Sequence, residues 1–321
     1  KGGCMQYRAM GSTGMEVSAL GMGTMRLPLR EGGQGYTSSR GADVERSVEL
    51  IRHAIDSGIT YFDTAFNYLH GESEKIIGKA LQDGYRERAL IATKSPIWMI
   101  EGEDDFDRLL RKQLDRLQTD YIDGYLMHWD DRVGTPIEET IACMKELKNA
   151  GKVRFLGMSN LERDLADRLL ADGVLDIVQY PYNMINRTKE DVLKYYAGQG
   201  CGTMGYGSLG GGILTGQFRE VPTFGHGDMR ASFYGPMFTE PGFSQIQTLL
   251  KVMDGIAETH KATVAQVAIN WALAHDYMHT VLTGVGNAAE AEENCAAAAW
   301  GLTVQEKQEL DEAISKIHIY S

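Results

Sequence analysis

The sequence has few cysteines and no long apolar run. Its cysteines lie far apart, and no two of them form a Cys-x-x-Cys pair; the four are Cys4, Cys143, Cys201 and Cys295. This spacing argues against a zinc or iron–sulfur site and against a disulfide framework, and it favours a reducing, cytoplasmic setting. No apolar stretch approaches the roughly 20 residues that a membrane-spanning helix requires, so no membrane segment is expected.

Basic residues are also in the minority. The chain carries 32 Lys and Arg against 44 Asp and Glu, a formal net charge of -12, and no basic run stands out. Nucleic acid is therefore not expected as a partner, and acidity of this size favours solubility. With 43% hydrophobic residues, the chain of 321 residues can form a large core. We predict one domain over residues 5–321, as a monomer or homo-oligomer, with residues 1–4 as a cloning remnant without a secretory signal.

What the sequence does contain is a repeated alternation of short β-branched or aromatic segments with amphipathic helical stretches. This alternation is typical of a parallel sheet with crossover helices. Eight segments are predicted as strands: 20–27, 60–64, 89–94, 121–128, 153–159, 177–182, 203–208 and 280–284. Amphipathic helices are predicted between them, among others over 43–56, 72–81, 106–117, 137–150 and 161–172.

Eight strand–helix units in about 280 residues predict a (β/α)8 TIM barrel. An N-terminal β-hairpin over 6–19, turning at 12–14, is predicted to plug the barrel floor. The alternative, a doubly wound sheet, would need a Gly-rich phosphate loop after its first strand, and residues 21–25 do not form Gly-x-Gly-x-x-Gly. A long Gly- and Pro-rich loop over 214–245 is predicted to cover the active-site mouth, although a plain surface insertion would have the same composition.

Polar residues stand at the ends of three predicted strands, where side chains of a barrel converge on one pocket. These are Asp63, Lys94 and His128, and Tyr68 follows five residues after Asp63. Reduction of a carbonyl by hydride needs a proton donor at the oxygen, and a tyrosine is too weak an acid unless a cation lies beside it. Lys94 is predicted to be that cation and Asp63 to hold it. His128 is predicted to orient the substrate oxygen.

Around these four residues the sequence resembles the aldo-keto reductase superfamily, and in particular its bacterial branches that act on sugars and polyols. The resemblance runs from Tyr7 to Ile317. It rests on residues 62–65 with Tyr68, 92–94 and 126–129, and on further matches at 157–160, 178–180, 206–216 and 290–294. It implies a nicotinamide-dependent oxidoreductase in which the four residues form the catalytic set.

The resemblance also implies cofactor contacts. Ser159, Asn160 and Gln179 would bind the nicotinamide carboxamide, and the Tyr206 ring would stack on the nicotinamide. Backbone groups in the glycine-rich stretch 207–212 would approach the pyrophosphate. The complete predicted set is Gly23, Thr24, Met25, Asp63, Ser159, Asn160, Gln179, Tyr206, Gly207, Ser208, Leu209 and Gly211, with Gly284, Gly286, Glu290 and Asn294 at the adenosine end; no metal is predicted.

The predicted adenosine segment departs from the usual pattern of NADPH-dependent members, which place Lys or Arg opposite the 2'-phosphate. Residues 283–290 contain no cation and end in Glu290. A carboxylate near the ribose favours hydroxyl groups and repels phosphate. We therefore predict that NAD(H) is favoured over NADP(H).

Two tryptophans are candidate substrate contacts. Trp98 follows the Lys94 strand and Trp129 follows His128, although buried aromatic side chains fill cores as often. The predicted function is reversible hydride transfer between NAD(P)(H) and the carbonyl or alcohol of a small aldehyde, ketone or sugar-type substrate. The alternative is a redox-sensing regulatory subunit that binds nicotinamide within a protein complex, and the complete catalytic set argues against it.

Overall fold

The predicted strands form a closed parallel barrel, as expected for a TIM barrel. The structure is a computed structural model, and it describes residues 5–28, 42–95, 103–129 and 136–320. An antiparallel hairpin precedes the barrel, and its strands are β1 (Tyr7–Ala9) and β2 (Glu16–Ser18). The barrel strands are β3 (Leu20–Gly23), β4 (Tyr61–Asp63), β5 (Leu90–Ser95), β6 (Ile122–Met127), β7 (Val153–Ser159), β8 (Ile177–Pro181), β9 (Gly202–Tyr206) and β10 (Thr280–Gly284). Each pairs with the next along the chain, and β10 returns to β3.

Helices surround the barrel because each presents an apolar face to the outside of the strands. They are α1 (Val44–Asp56), α2 (Glu72–Ala80), α3 (Glu103–Leu117), α4 (Ile137–Asn149), α5 (Arg163–Ala171), α6 (Glu190–Gly198), α7 (Gly235–Phe238), α8 (Gly242–His260), α9 (Val264–Leu273), α10 (Ala288–Ala297) and α11 (Val304–Ile314). Local sequence signals start several of them, for example the capping boxes of Thr263 with Gln266 and of Thr303 with Glu306. Among the described residues, no helix combines the length and apolarity needed to cross a membrane.

The hairpin closes the floor of the barrel. Its Met10, Met15 and Val17 are buried in the same cluster as the side chains inside the barrel, which include Tyr61, Ala92, Leu126, Ile177, Met204 and Leu282. The turn lies close to the start of β9, where Ser12 N donates to Gly200 O at 2.7 Å. A Cβ at Gly11, which has φ +53°, would lie 2.4 Å from the same carbonyl, so this approach requires glycine.

Several segments were predicted to extend beyond the residue at which they end in the structure. The first strand was predicted over 20–27 but ends at Gly23, and the fourth, predicted over 121–128, ends at Met127. Pairing stops at the rim of the barrel, where each chain segment turns away into its loop. The long loop was predicted to continue to residue 245, but α8 already begins at Gly242, directly after Pro241. Proline is compatible with a helix start because the first turn leaves its amide hydrogens unpaired.

Candidate active site

The carboxyl ends of the strands surround a cavity of about 310 Å³. Asp63 is the last residue of β4, Lys94 lies near the end of β5, and His128 directly follows β6. Tyr68 lies on the turn after β4. The parallel register brings these residues to one rim, since Asp63 pairs with Ala92 of β5, and Lys94 with Leu126 of β6.

Lys94 is completely buried, and each of its ammonium hydrogens has an acceptor. Its Nζ lies 2.6 Å from Asp63 Oδ1, 2.8 Å from Thr64 O and 3.4 Å from the Tyr68 hydroxyl oxygen. Burial by itself would lower the pKa of Lys94, but the neighbouring Asp63 and Tyr68 more than offset this and raise it above its ordinary value. The ammonium group therefore stays protonated at neutral pH beside the Tyr68 hydroxyl.

His128 is neutral in this environment. Burial, together with the nearby charge of Lys94, lowers the pKa of His128 to about 3. Its ring meets the Tyr68 ring edge-on, with centroids 5.8 Å apart. A neutral imidazole can donate one N–H to a bound oxygen without introducing a second cation next to Lys94.

Because the pKa of His128 is low, we expect its protonation to cause no change of kcat/KM near neutral pH. Because the imidazole protonates only near pH 3, no loss of kcat/KM from this group is expected between about pH 5 and pH 8. The measurement is kcat/KM across that range, beside the same profile for His128→Gln. An inflection near the ordinary histidine pKa that disappears in His128→Gln would contradict the prediction.

Polar side chains from β7, β8 and β9 continue the network on the other side of Asp63. Gln179 Nε2 donates to Asp63 Oδ2 at 2.8 Å, and Ser159 Oγ donates to Gln179 Oε1 at 3.0 Å. Asn160 Nδ2 donates to Ser159 Oγ at 2.9 Å, and the Tyr206 hydroxyl donates to Asn160 Oδ1 at 2.8 Å. These side chains offer both donors and acceptors at the cavity wall, which is the pattern that a carboxamide ligand needs.

A second cavity of about 470 Å³ adjoins the first. A glycine-rich turn after β9 forms one wall, and its backbone has positive φ at Gly207, Gly210, Gly211 and Gly212. A Cβ at Gly211 would lie 2.8 Å from the Tyr234 ring, so a larger residue does not fit there. Backbone amides exposed by such a turn can approach phosphate groups closely.

The family model described as "Aldo/keto reductase family" matches residues 19–315. The chain belongs to the aldo/keto reductase family. It is 35% identical to the aldo-keto reductase YhdN of Bacillus subtilis over 96% of this chain and 93% of that protein. It is 30% identical to the NADH-specific methylglyoxal reductase of Escherichia coli over 91% and 93% of the two chains. The family is one of oxidoreductases, so the chain is an oxidoreductase.

Solved structures agree with this membership. A glycerol dehydrogenase from Gluconobacter oxydans superposes on the reductase with a TM-score of 0.84, at 26% identity, covering 98% of this chain and 97% of that one. An aldo/keto reductase from Klebsiella pneumoniae in complex with NADP and acetate has a TM-score of 0.74 at 26% identity, covering 95% and 94%. Relatives thus include both an NADH-specific enzyme and one that binds NADP.

Most of the predicted contact residues line one of the two cavities described above. The four predicted catalytic residues lie together. Asp63, Tyr68 and His128 line the first cavity, whereas Lys94 does not, because it is buried behind Asp63 and Tyr68. Trp129 also lines it, 45% exposed and stacked on His128 at 5.7 Å. The predicted cofactor contacts in the first cavity are Gly23, Met25, Asp63, Ser159, Asn160, Gln179, Tyr206, Gly207 and Gly284; those in the second are Gly207, Ser208, Leu209, Gly211, Gly284, Glu290 and Asn294.

Two of the predicted contacts line neither cavity. Thr24 is fully buried and lines neither cavity; its hydroxyl donates to Asp63 O at 3.0 Å, which ties β3 to β4. Gly286 lies outside both, and its amide donates to Glu290 Oε2 at 2.7 Å. Trp98 lies outside the described residues.

Sequence reasoning missed two arginines of the reductase. Arg26, after β3, and Arg230, on the long loop, line the second cavity together with Glu290. The segment 283–290 does lack a cation, but the fold brings these two arginines to the same cavity from distant segments. The loop itself reaches the mouth, where its Met229, Phe233 and Tyr234 line the first cavity.

Proposed function

We propose that this reductase transfers a hydride reversibly between NAD(P)(H) and the carbonyl or alcohol of a small aldehyde, ketone or sugar-type substrate, with Tyr68 as general acid in reduction and general base in oxidation. The observation that carries the proposal is the contact of the Tyr68 hydroxyl with the buried, protonated Lys94 at 3.4 Å. A cation in this position stabilises the phenolate that remains when Tyr68 gives up its proton.

The two cavities fit the two ends of a nicotinamide dinucleotide. The amide side chains of Asn160 and Gln179, with the Ser159 hydroxyl, would hold a carboxamide, and the Tyr206 ring would support the nicotinamide face. The glycine turn after β9 would accommodate the pyrophosphate, where a Cβ at Gly211 would meet Tyr234. When bound, the cofactor supplies or accepts the hydride.

The protein side of the reaction is proton transfer at one oxygen. In reduction, hydride reaches the carbonyl carbon while the Tyr68 O–H gives its proton to the oxygen; the product is an alcohol, and Tyr68 regains a proton from solvent. Neutral His128 donates an N–H to the same oxygen and orients it. Asp63 holds the Lys94 ammonium in place, with Oδ1 2.6 Å from Nζ. In oxidation each proton step runs in reverse.

The substrate would occupy the outer part of the first cavity, between the long loop and the rim. Trp129, Met229 and Phe233 line this cavity, and Trp129 and Phe233 are about half exposed. Aromatic and thioether side chains can pack against the carbon atoms of a small carbonyl compound. The polar rim would leave the hydroxyl groups of the substrate solvated. The test is steady-state turnover over a panel of aldehydes, ketones, sugars and polyols. A protein that bound nicotinamide tightly but turned over none of them would be a redox sensor instead.

For the cofactor, we propose a preference for NAD(H) over NADP(H). The second cavity is lined by Glu290 and Glu293 as well as by Arg26 and Arg230, and Arg230 is paired with Asp228 at 2.6 Å. Counting Asp228, three carboxylates accompany the two guanidinium groups, so the doubly charged 2'-phosphate of NADP(H) would meet no net positive charge there.

Reversing the charge of Glu290 is expected to shift this preference. In Glu290→Lys the ratio of kcat/KM for NADH to that for NADPH should fall about 10- to 100-fold, because a charge-assisted contact to the phosphate replaces a repulsion. Glu292→Lys is the matched control; Glu292 lies on the same helix, its carboxylate is 65% exposed and pairs with His53, and it does not line the cavity. Wild-type protein that used NADPH as well as NADH, or equal shifts in both variants, would overturn the proposal.

A further inference from the structure

Tyr68 stands at the start of an unusual turn. The three residues that follow it, Leu69, His70 and Gly71, have φ of 50°, 56° and 86°. L-residues rarely adopt this left-handed conformation, and two of the three carry side chains. Such a backbone persists only where its surroundings hold it. The direction in which Tyr68 points therefore depends on whatever fixes this turn.

Arg116 of α3 contacts the turn on both sides of Tyr68. Before Tyr68, its Nη1 donates to Phe66 O at 2.9 Å and its guanidinium group lies over the Phe66 ring, 4.4 Å from the centroid. After Tyr68, it packs against Gly71, where a Cβ would lie 2.4 Å from Arg116 Cζ. The same Nη1 donates to Glu74 Oε2 at 2.9 Å. One guanidinium group thus contacts the chain both before and after Tyr68.

Glu74 of α2 connects Arg116 to the strand that carries Lys94. Its carboxylate is fully buried, and Oε1 accepts from Thr93 Oγ1 at 2.8 Å and from Gln113 Nε2 at 2.7 Å. Thr93 directly precedes Lys94, and Gln113 Nε2 also lies 3.3 Å from Lys94 O. Burial raises the pKa of Glu74, against the opposing effect of its hydrogen bonds to Gln113, Arg116 and Thr93. The proposed reaction assigns no role to this group.

We propose that Arg116 and Glu74 are positioning residues that fix the Tyr68 hydroxyl relative to the Lys94 ammonium. Arg116 holds the left-handed turn, Glu74 holds Arg116, and the other oxygen of the same carboxylate anchors β5 at Thr93. Neither residue lines the cavity, so each acts through Tyr68 and Lys94. This inference rests on the proposed role of Tyr68 as general acid and base.

Arg116→Lys and Arg116→Met test the inference. Lysine keeps the charge but lacks the planar fork that contacts Phe66 O, Glu74 and Gly71 together. We expect kcat to fall about 10- to 100-fold, as for a small misplacement of a catalytic group, with KM and the cofactor Kd within about threefold. If Arg116→Met does not fold, Arg116→Lys carries the test alone.

Arg86→Met is the matched control. The Arg86–Asp123 pair is as buried as Arg116–Glu74, with side chains 15% and 1% exposed against 12% and 0%, and Arg86 stacks on Tyr121 at 4.1 Å as Arg116 does on Phe66. It lies beside the first residues of β5 and β6, away from the cavity. We expect a comparable loss of Tm with unchanged kcat per folded molecule. Equal kcat losses in the Arg86 and Arg116 variants, or full kcat in Arg116→Lys, would overturn the inference.

A second readout does not depend on turnover. The ultraviolet absorbance of the Tyr68 phenolate is isolated by subtracting the spectrum of the same protein carrying Tyr68→Phe. Phenolate should form at higher pH in Arg116→Lys than in wild type, because Tyr68 loses its fixed distance to the cation. An identical titration in both proteins would overturn the inference. Failure of the proposed function would appear differently, as absent turnover in wild-type protein whose Tyr68 titration still depends on Arg116.

Discussion

Tyr68→Phe is expected to lower kcat for carbonyl reduction by about 10² to 10⁴, the usual contribution of a positioned general acid. The substitution removes one oxygen atom and leaves the ring, which packs edge-on against His128 at 5.8 Å. The hydroxyl that it removes is one of three groups around Lys94 Nζ, and Asp63 and Thr64 remain as acceptors. Lys94 therefore stays satisfied, and little loss of stability is expected. The measurement is kcat for the best substrate of the panel, in both reaction directions.

Cofactor affinity provides the control for Tyr68→Phe. Tyr68 is not part of the hydrogen-bonded chain from Gln179 to Tyr206, so Kd for the nicotinamide dinucleotide should change less than about threefold. A loss confined to kcat, with binding retained, is the signature of an interaction made in the transition state. Wild-type kcat in Tyr68→Phe would refute the assigned role, and His128 would then be the first alternative donor.

Lys94→Met is expected to reduce activity at least as strongly and also to destabilise the protein, by about 3 to 5 kcal/mol. The loss of stability is expected because the substitution leaves the Asp63 carboxylate without its counter-ion. The Asp63 carboxylate is 5% exposed and would lose its ion pair at 2.6 Å, keeping Gln179 as a donor at 2.8 Å. A buried carboxylate without a counter-ion is costly, and the cation that stabilises the Tyr68 phenolate is also gone. Denaturant unfolding measures the first effect and kcat the second.

The double variant Lys94→Met with Asp63→Asn separates stability from chemistry. Asparagine removes the unpaired charge and still offers an oxygen to Gln179 Nε2, so we expect most of the lost stability to return. Activity should remain low, because no cation lies beside Tyr68. Recovery of activity with stability would show that Lys94 serves the fold alone, contrary to the proposed function.

A continuous hydrogen-bonded network joins the proposed general acid to the proposed cofactor site. Asp63 binds Lys94 with one oxygen and Gln179 with the other, so a single carboxylate joins the proposed proton-transfer residues to the polar side chains of β7 and β8. Substitutions at Asp63 should therefore affect kcat and cofactor binding together. Substitutions at Tyr68 should mainly lower kcat, and substitutions at Asn160 should mainly weaken cofactor binding. These two residues therefore separate the two effects better than Asp63 does.

The barrel, and the rim at which its polar residues meet, could be predicted from the sequence. Strand segments alternate with amphipathic helices, and in a parallel barrel every strand ends on the same face, so Asp63, Lys94 and His128 were predicted to converge from their positions alone. The glycine-rich turn after β9 could also be recognised in the sequence, because a backbone with positive φ favours glycine.

Which distant side chains join the site could not be predicted and depends on how the elements pack in three dimensions. Arg26 and Arg230 reach the cavity next to Glu290 from loops far from it in sequence, and Arg116 with Glu74 reaches the Tyr68 turn from the outer helices. No local pattern marks these residues, because an arginine or glutamate on an amphipathic helix usually faces solvent. Their roles depend on the direction of each side chain and the packing of helices against the barrel, which are set by contacts between elements and not by neighbours along the chain.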